Sequence, residues 1–129
     1  QDVSLSAHVG MRLPLFYSAI GKAVLVGLSE DQRDQIIQTL APDYPGREPE
    51  WRDNIARGME EYEAKGFCTG FGEWRPDVNG IAVPVFSPDG GRVYGMNVGG
   101  PSFHVQPAEL EAVYAPKLIA ASESLGQRA

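Results

Sequence analysis

Two apolar runs, Ile81–Phe86 and Arg92–Val98, are separated only by Ser-Pro-Asp-Gly-Gly, and this pair constrains the fold most. The Asp89-Gly90 step is a tight-turn signal. Strands joined by so short a connection pair antiparallel, because parallel pairing needs a crossover of a dozen residues or more. Pro84 inside the first run predicts a bulge or a missing ladder bond. A third strand, Phe67–Trp74, precedes the pair, with Arg75–Asn79 as a turn-like connection. It carries Gly70 and Gly72, and glycines inside a strand often mark close approach of another group. Regular alternation puts Phe67, Thr69 and Phe71 on one face and Cys68, Gly70, Gly72 and Trp74 on the other.

Helical signals surround these strands. Ser18 is the expected N-cap of a first helix, whose apolar side carries Ile20, Ala23, Val24, Gly27 and Leu28. Ser29 with Gln32 three residues later forms a capping box for a second helix, with Ile36, Ile37 and Leu40 as its apolar side. A loop, Ala41–Gly46, follows. Pro49, at a favoured first-turn position, opens a third helix that stops at Lys65-Gly66. Trp51, Ile55, Gly58, Met59 and Tyr62 share its apolar face, and Glu50, Arg57, Glu60, Glu61 and Glu63 read as a solvated one. A last helix starts at Pro107 and turns Leu110, Val113, Tyr114, Leu118, Ala121 and Leu125 inward. Pro116 should kink it, because proline cannot donate to the carbonyl of Ala112. At the other end, Asp2–Val9 alternates like a half-buried strand. The sum is an α+β chain, with helices against an antiparallel sheet.

The bulk numbers narrow the function. A length of 129 residues fits one domain. A net charge of −6 with scattered basic residues argues against a direct grip on nucleic acid, which needs a basic face. No apolar run is long enough to span a membrane. The single cysteine, Cys68, forms no internal disulfide, which fits a cytoplasmic protein, and reads first as a small buried hydrophobe.

Motif tests remove several chemistries. Gly21-Lys22 resembles the end of a phosphate loop, but Phe16 and Ala23 stand where that motif needs Gly and Ser or Thr. Gly70 and Gly72 resemble half of a dinucleotide fingerprint, but Arg75 replaces the third glycine. His8 and His104 show no metal-ligand spacing, no serine has plausible His and Asp partners, and Glu73 and Asp77 are not presented as an acid/base pair. No catalytic residue, metal or cofactor is therefore expected. What remains is a place for an anion. The helix after Arg12–Tyr17 begins with small residues, Ala19, Ile20 and Gly21, which let a ligand approach the free N–H groups of the first turn. Phe71 and Trp74 either line a pocket or fill the core. Asn97, polar between Met96 and Val98, needs partners for donor and acceptor if buried: a neighbouring loop or a ligand.

Four segments carry a family resemblance: Arg12–Leu25, Tyr62–Phe67, Gly72–Phe86 and Asp89–Pro101. In this order they resemble the C-terminal effector-binding domain of IclR-type bacterial transcriptional regulators. The resemblance implies a GAF-like fold, no enzymatic activity, and a pocket for a small organic acid. It places the carboxylate at Ala19, Ile20 and Gly21 and completes the pocket with Gly70, Val78 to Gly80, and Asn97 to Gly99. Members of the family often carry an acidic residue at the place of Gly70, Cys or Ser near Gly80, and Ser near Asn97 and Gly99. Glycines there predict a roomier, less polar pocket, and so a bulkier, aromatic ligand.

Measured against the family pattern, the chain is expected to be an effector-binding domain over residues 1–129, without the first strands, the linker helix and the helix-turn-helix domain. DNA would be reached only through that domain. An unpaired edge at Asp2–Val9 predicts association into a dimer or tetramer. The alternative is a structural oligomerisation domain with a degenerate pocket.

Overall fold

The structure, a computed structural model, describes residues 14–126. The strand expected at Asp2–Val9, together with His8, lies outside the described residues. Three strands, β1 (Cys68–Phe71), β2 (Val78–Phe86) and β3 (Val93–Pro101), form an antiparallel sheet in the order β1-β2-β3. Helix α1 (Ala19–Gly27) lies on one face, with α2 (Glu30–Leu40) and α3 (Glu48–Lys65) around it. The last helix packs on the other face. It runs through α4 (Pro107–Glu109), a π turn (Leu110–Tyr114) and α5 (Ala115–Gly126). The expected α+β class is observed.

The helix starts follow their capping chemistry. Ser18 Oγ accepts from the Gly21 N–H at 3.0 Å, and Ser29 and Gln32 form the reciprocal capping box. Helix α3 begins at Glu48, one residue before the expected Pro49, and ends at Gly66, whose φ of 88° is the left-handed conformation glycine adopts freely. Its buried stripe is Trp51, Asn54, Ile55 and Gly58, whereas Met59 is exposed. The face expected to be merely solvated makes specific bonds. Glu61 accepts from the Thr69 N–H at 2.9 Å and from the Thr69 hydroxyl, tying α3 to β1.

Two strand boundaries differ from expectation. β1 stops at Phe71 because Gly72 turns the chain with φ 70°. β2 starts at Val78, inside the segment expected as a turn, because Val78 and Asn79 pair with Pro101 and Gly100 of a longer β3. At Pro84 the register runs on without a bulge, Pro84 facing Gly95. β1 reaches only as far as the partner of Ala82, so Pro84 lies beyond it on that side of β2.

The last helix buries a different set from the one expected. Leu110, Ala115, Leu118 and Ser122 face the core, while Val113, Tyr114, Ala121 and Leu125 are exposed. The π turn is the cause. The Ala115 N–H bonds to the Leu110 carbonyl, so the turn holds one residue more than an α turn, and the inward position after Leu110 is Ala115. A uniform helical period points to Val113 and Tyr114 instead. The backbone adjustment comes in the turn just before Pro116.

The two faces of the sheet are filled differently. On one, Ile81 and Val83 pack with Phe67, Leu110, Ala115 and Leu118. On the other, Cys68 and Ala82 meet Ala19 and Ala23 of α1. A further cluster, Phe16, Leu25, Ile37, Trp51 and Ile55, fixes α1 to α2 and α3; in it Phe16 stacks on Trp51 with ring centroids 4.2 Å apart.

Candidate functional site

The register places Gly70, Gly80 and Gly99 side by side across the three strands. Alternation puts this row on the face that carries α1, together with Val78, Ala82 and Asn97. The start of α1 lies on the row. A Cβ on Gly70 would stand 2.9 Å from the Ala19 nitrogen, and one on Gly80 would stand 3.9 Å from the Ala19 Cβ. One turn along, a Cβ on Gly95 would meet Ile20 Cγ1 at 2.6 Å. The missing side chains thus let a helix rest directly on sheet backbone.

At the head of α1 the Tyr17 and Ser18 N–H groups both bond to the Pro14 carbonyl, closing a turn that leads into the helix. Ser18 takes up the Gly21 N–H. The N–H groups of Ala19 and Ile20 have no acceptor among the described residues. These are the orphan donors of a helix start, at the positive end of its dipole. Gly21 serves packing instead: its N–H is occupied, and a Cβ there would come within 2.0 Å of the Leu15 carbonyl oxygen.

Asn97 is exposed, so its amide is not a buried group that must find partners within the fold. Its neighbours Met96 and Val98 face the α5 side, and alternation turns Asn97 to the α1 side, opposite Ala82. Its side-chain amide has no hydrogen-bond partner among the described residues. Gly99 is exposed beside it. Phe71, expected at the pocket, packs with the cluster on the opposite face. Ala19, Ile20, Gly70, Val78, Gly80, Asn97 and Gly99 share one face, and Phe71 does not.

The expected gain of room is also corrected. At Gly70 the place of a side chain is taken by Ala19, and at Gly99 a Cβ would stand 2.7 Å from the Asn79 carbonyl oxygen. Only at Gly80 would a Cβ make ordinary contacts, the nearest at 3.5 Å to the Val98 carbonyl oxygen. Sequence reading finds the glycines but not this division, which depends on where a helix far away in the chain comes to rest.

Two ionisable groups lie behind the site: Lys22, whose pairing the sequence does not announce, and Cys68, buried as expected. Lys22 is 1% exposed and pairs with Glu73 at 3.0 Å. Cys68 is fully buried, and burial, reinforced by the Glu61 carboxylate, pushes its thiol up to about 12. A thiol that stays protonated is no nucleophile. No group of three or more His, Cys, Asp or Glu among the described residues is placed to hold a metal. No helix of the described residues is long and apolar enough to cross a membrane.

The family described as bacterial transcriptional regulator IclR, C-terminal, matches residues 1–127. The chain belongs to this family. An IclR family transcriptional regulator from Brucella abortus superposes with a TM-score of 0.83 at 32% identity, over 95% of this chain and 46% of that one. The Pca regulon regulatory protein of Pseudomonas putida is 25% identical over 124 residues, covering 95% of this chain and 43% of that protein. The inducer-binding domain of PobR from Acinetobacter, a double mutant in complex with 3-hydroxybenzoic acid, has the same fold: TM-score 0.75, 23% identity, 98% of this chain and 75% of that one. This IclR-type chain thus spans less than half the length of its Pseudomonas relative. The family is one of transcriptional regulators and not of enzymes.

Proposed function

We propose that this chain is the effector-sensing domain of an IclR-type transcriptional regulator and binds a small organic carboxylate at the head of α1. One observation carries the reading. The unpaired N–H groups of Ala19 and Ile20 stand over a sheet floor without side chains, with the exposed Asn97 amide on the same face. Unsatisfied donors at a positive helix end favour an anion, and the amide supplies both a donor and an acceptor for a second polar group. Gly80, the floor position with space for a side chain, sets how deep a ligand sits. The PobR domain shares the fold, and its complex makes hydroxybenzoates the first acids to try.

In the intact regulator this domain would act in a dimer or tetramer in the cytoplasm, and DNA would be bound by a separate helix-turn-helix domain. Effector binding would favour one arrangement of subunits, which requires different affinities for the two arrangements.

The test is a thermal-shift screen of carboxylates from pyruvate to the hydroxybenzoates, with calorimetry on hits. An acid present at about 100 times its dissociation constant adds about 2.7 kcal/mol of stability. Asn97→Leu should abolish the shift while leaving the unliganded melting temperature unchanged. Binding that persists at full strength in Asn97→Leu removes Asn97 from the site, and no shift with any acid removes the sensor reading.

The second reading, an oligomerisation domain without a ligand, has one observation in its favour. Close packing alone accounts for glycine at positions 70 and 99. It does not account for Gly80.

A further inference from the structure

Lys22 lies one turn into α1, and its ammonium is taken out of water: the residue is 1% exposed. Its stem leaves α1 beside Gly58 of α3, where a Cβ would stand 3.6 Å from Lys22 Cβ and 3.8 Å from Cys68 Sγ. The ammonium meets Glu73 Oε1 at 3.0 Å. The same carboxylate oxygen lies 3.9 Å from the guanidinium of Arg57 on α3. Arg57 donates to the Asn54 side-chain oxygen, and the Asn54 amide donates to the Phe16 carbonyl at 2.9 Å. Phe16 belongs to the turn, closed on the Pro14 carbonyl, that leads into α1. A polar chain therefore leaves α1 at Lys22, crosses Glu73, Arg57 and Asn54, and returns to the residues just before the same helix.

Glu73 is the joint of this circuit, and it stands on the loop between β1 and β2. One end of that loop is tied to the floor of the site, because the Gly72 N–H bonds to the Val78 carbonyl at 2.9 Å. Its carboxylate accordingly connects the floor strand, the first turns of α1 and the lead-in turn.

We propose that Glu73 is a positioning residue for the head of α1, holding the Ala19 and Ile20 N–H groups in place above Gly70 and Gly80. Removing its charge leaves the Lys22 ammonium buried without a counter-charge, an arrangement that relaxes by moving the helix or exposing the lysine. The displacement would reach Phe16 along both arms of the circuit. The consequence for a ligand rests on the effector-site reading; the placement of the backbone does not.

The experiment has one arm for each. Backbone amide resonances of the ligand-free full chain are compared for wild type, Glu73→Gln and Glu73→Asp. The signals of Phe16 to Gly21 should move in Glu73→Gln and return toward wild type in Glu73→Asp, while those of Leu118 to Ser122 on α5 stay still. Unmoved signals at Phe16 to Gly21 in Glu73→Gln overturn the proposal. If Glu73→Gln does not fold, Arg57→Leu replaces it: this change keeps the Lys22–Glu73 pair and should move Phe16 and Tyr17 first, and silence there overturns the proposal equally. In the second arm, calorimetry with 3-hydroxybenzoate should give an affinity about tenfold lower in Glu73→Gln, the size of effect seen for residues in a connected network away from the ligand. Equal affinities would overturn the consequence for the ligand, and the amide arm decides the placement of the backbone. If wild type does not bind 3-hydroxybenzoate, the choice of ligand falls, and the amide arm alone decides on Glu73.

Discussion

The two faces of the sheet solve the same packing problem by opposite means. The α5 face is filled by volume: Ile81, Val83, Phe67, Leu110 and Leu118 interlock, and a helix stands off the strands by the width of its side chains. The α1 face is filled by removing volume: Gly70, Ala82 and Gly95 let a helix come down onto the strands. A face packed by large side chains leaves no backbone donor accessible. A face packed by backbone contact brings the unsatisfied end of a helix down onto the sheet. The contrast therefore separates the part of the domain that holds it together from the part proposed to bind.

This contrast can be broken by substitution. Leu110→Ala on the volume-packed face should cost about 2–5 kcal/mol, because the deleted side chain leaves a cavity under a fully buried position. Chemical denaturation measures it, and a cost below about 1 kcal/mol would mean that this face is loosely packed. Gly70→Ala on the other face should cost about 1–3 kcal/mol by the opposite mechanism, since the new methyl group would lie 2.9 Å from the Ala19 nitrogen. Gly80→Ala, one strand away in the same row, should be neutral or stabilising by about 0.4–1 kcal/mol, because its Cβ meets only ordinary contacts and the unfolded chain loses freedom. Similar costs at positions 70 and 80 would refute the placement of α1.

A titration reads the dryness of the same face. The Cys68 thiol is raised to about 12 in the fold from 9.0, so at intermediate pH the unfolded chain ionises while the folded one does not. Its contribution to stability is present below pH 9 and is lost as pH rises from about 9 to about 12. Cys68→Ala should flatten that part of the stability profile. An unchanged slope would mean that water reaches the thiol.

Much of this was legible in the chain because the signals are local. Ser18 and Ser29 cap the helices they announce, Gly66 ends α3, and the Asp89-Gly90 hairpin sets the register of β2 and β3. The small residues singled out in the sequence do share one sheet face, whereas Phe71 lies on the other, as strand alternation already separates it from Gly70. What could not be read is non-local. Whether Asn97 between Met96 and Val98 is interior depends on what packs over β3, and in the fold it is exposed. The glycine of position 70 looks like added space until Ala19, far away in the chain, is found to occupy it. On α3, neither the buried Asn54 nor Arg57 and Glu61 of the charged face announce their partners, which come from three other segments.

The π turn at Leu110–Tyr114 bears on how such a domain can vary in length. It holds one residue more than an α turn, and Leu110 at its start and Ala115 and Leu118 after it all pack in the core on the sheet. A gene that lost one codon between Glu111 and Tyr114 would still encode a helix in which Leu110 and Leu118 point the same way, with α turns in place of the π turn and only the bond that Pro116 cannot make missing. The same loss between Ile20 and Val24 would turn the remainder of α1 by about 100° and take Val24 away from Gly95. Insertions and deletions are thus tolerated at one end of the chain and forbidden at the other, and the difference lies in a single loosened turn.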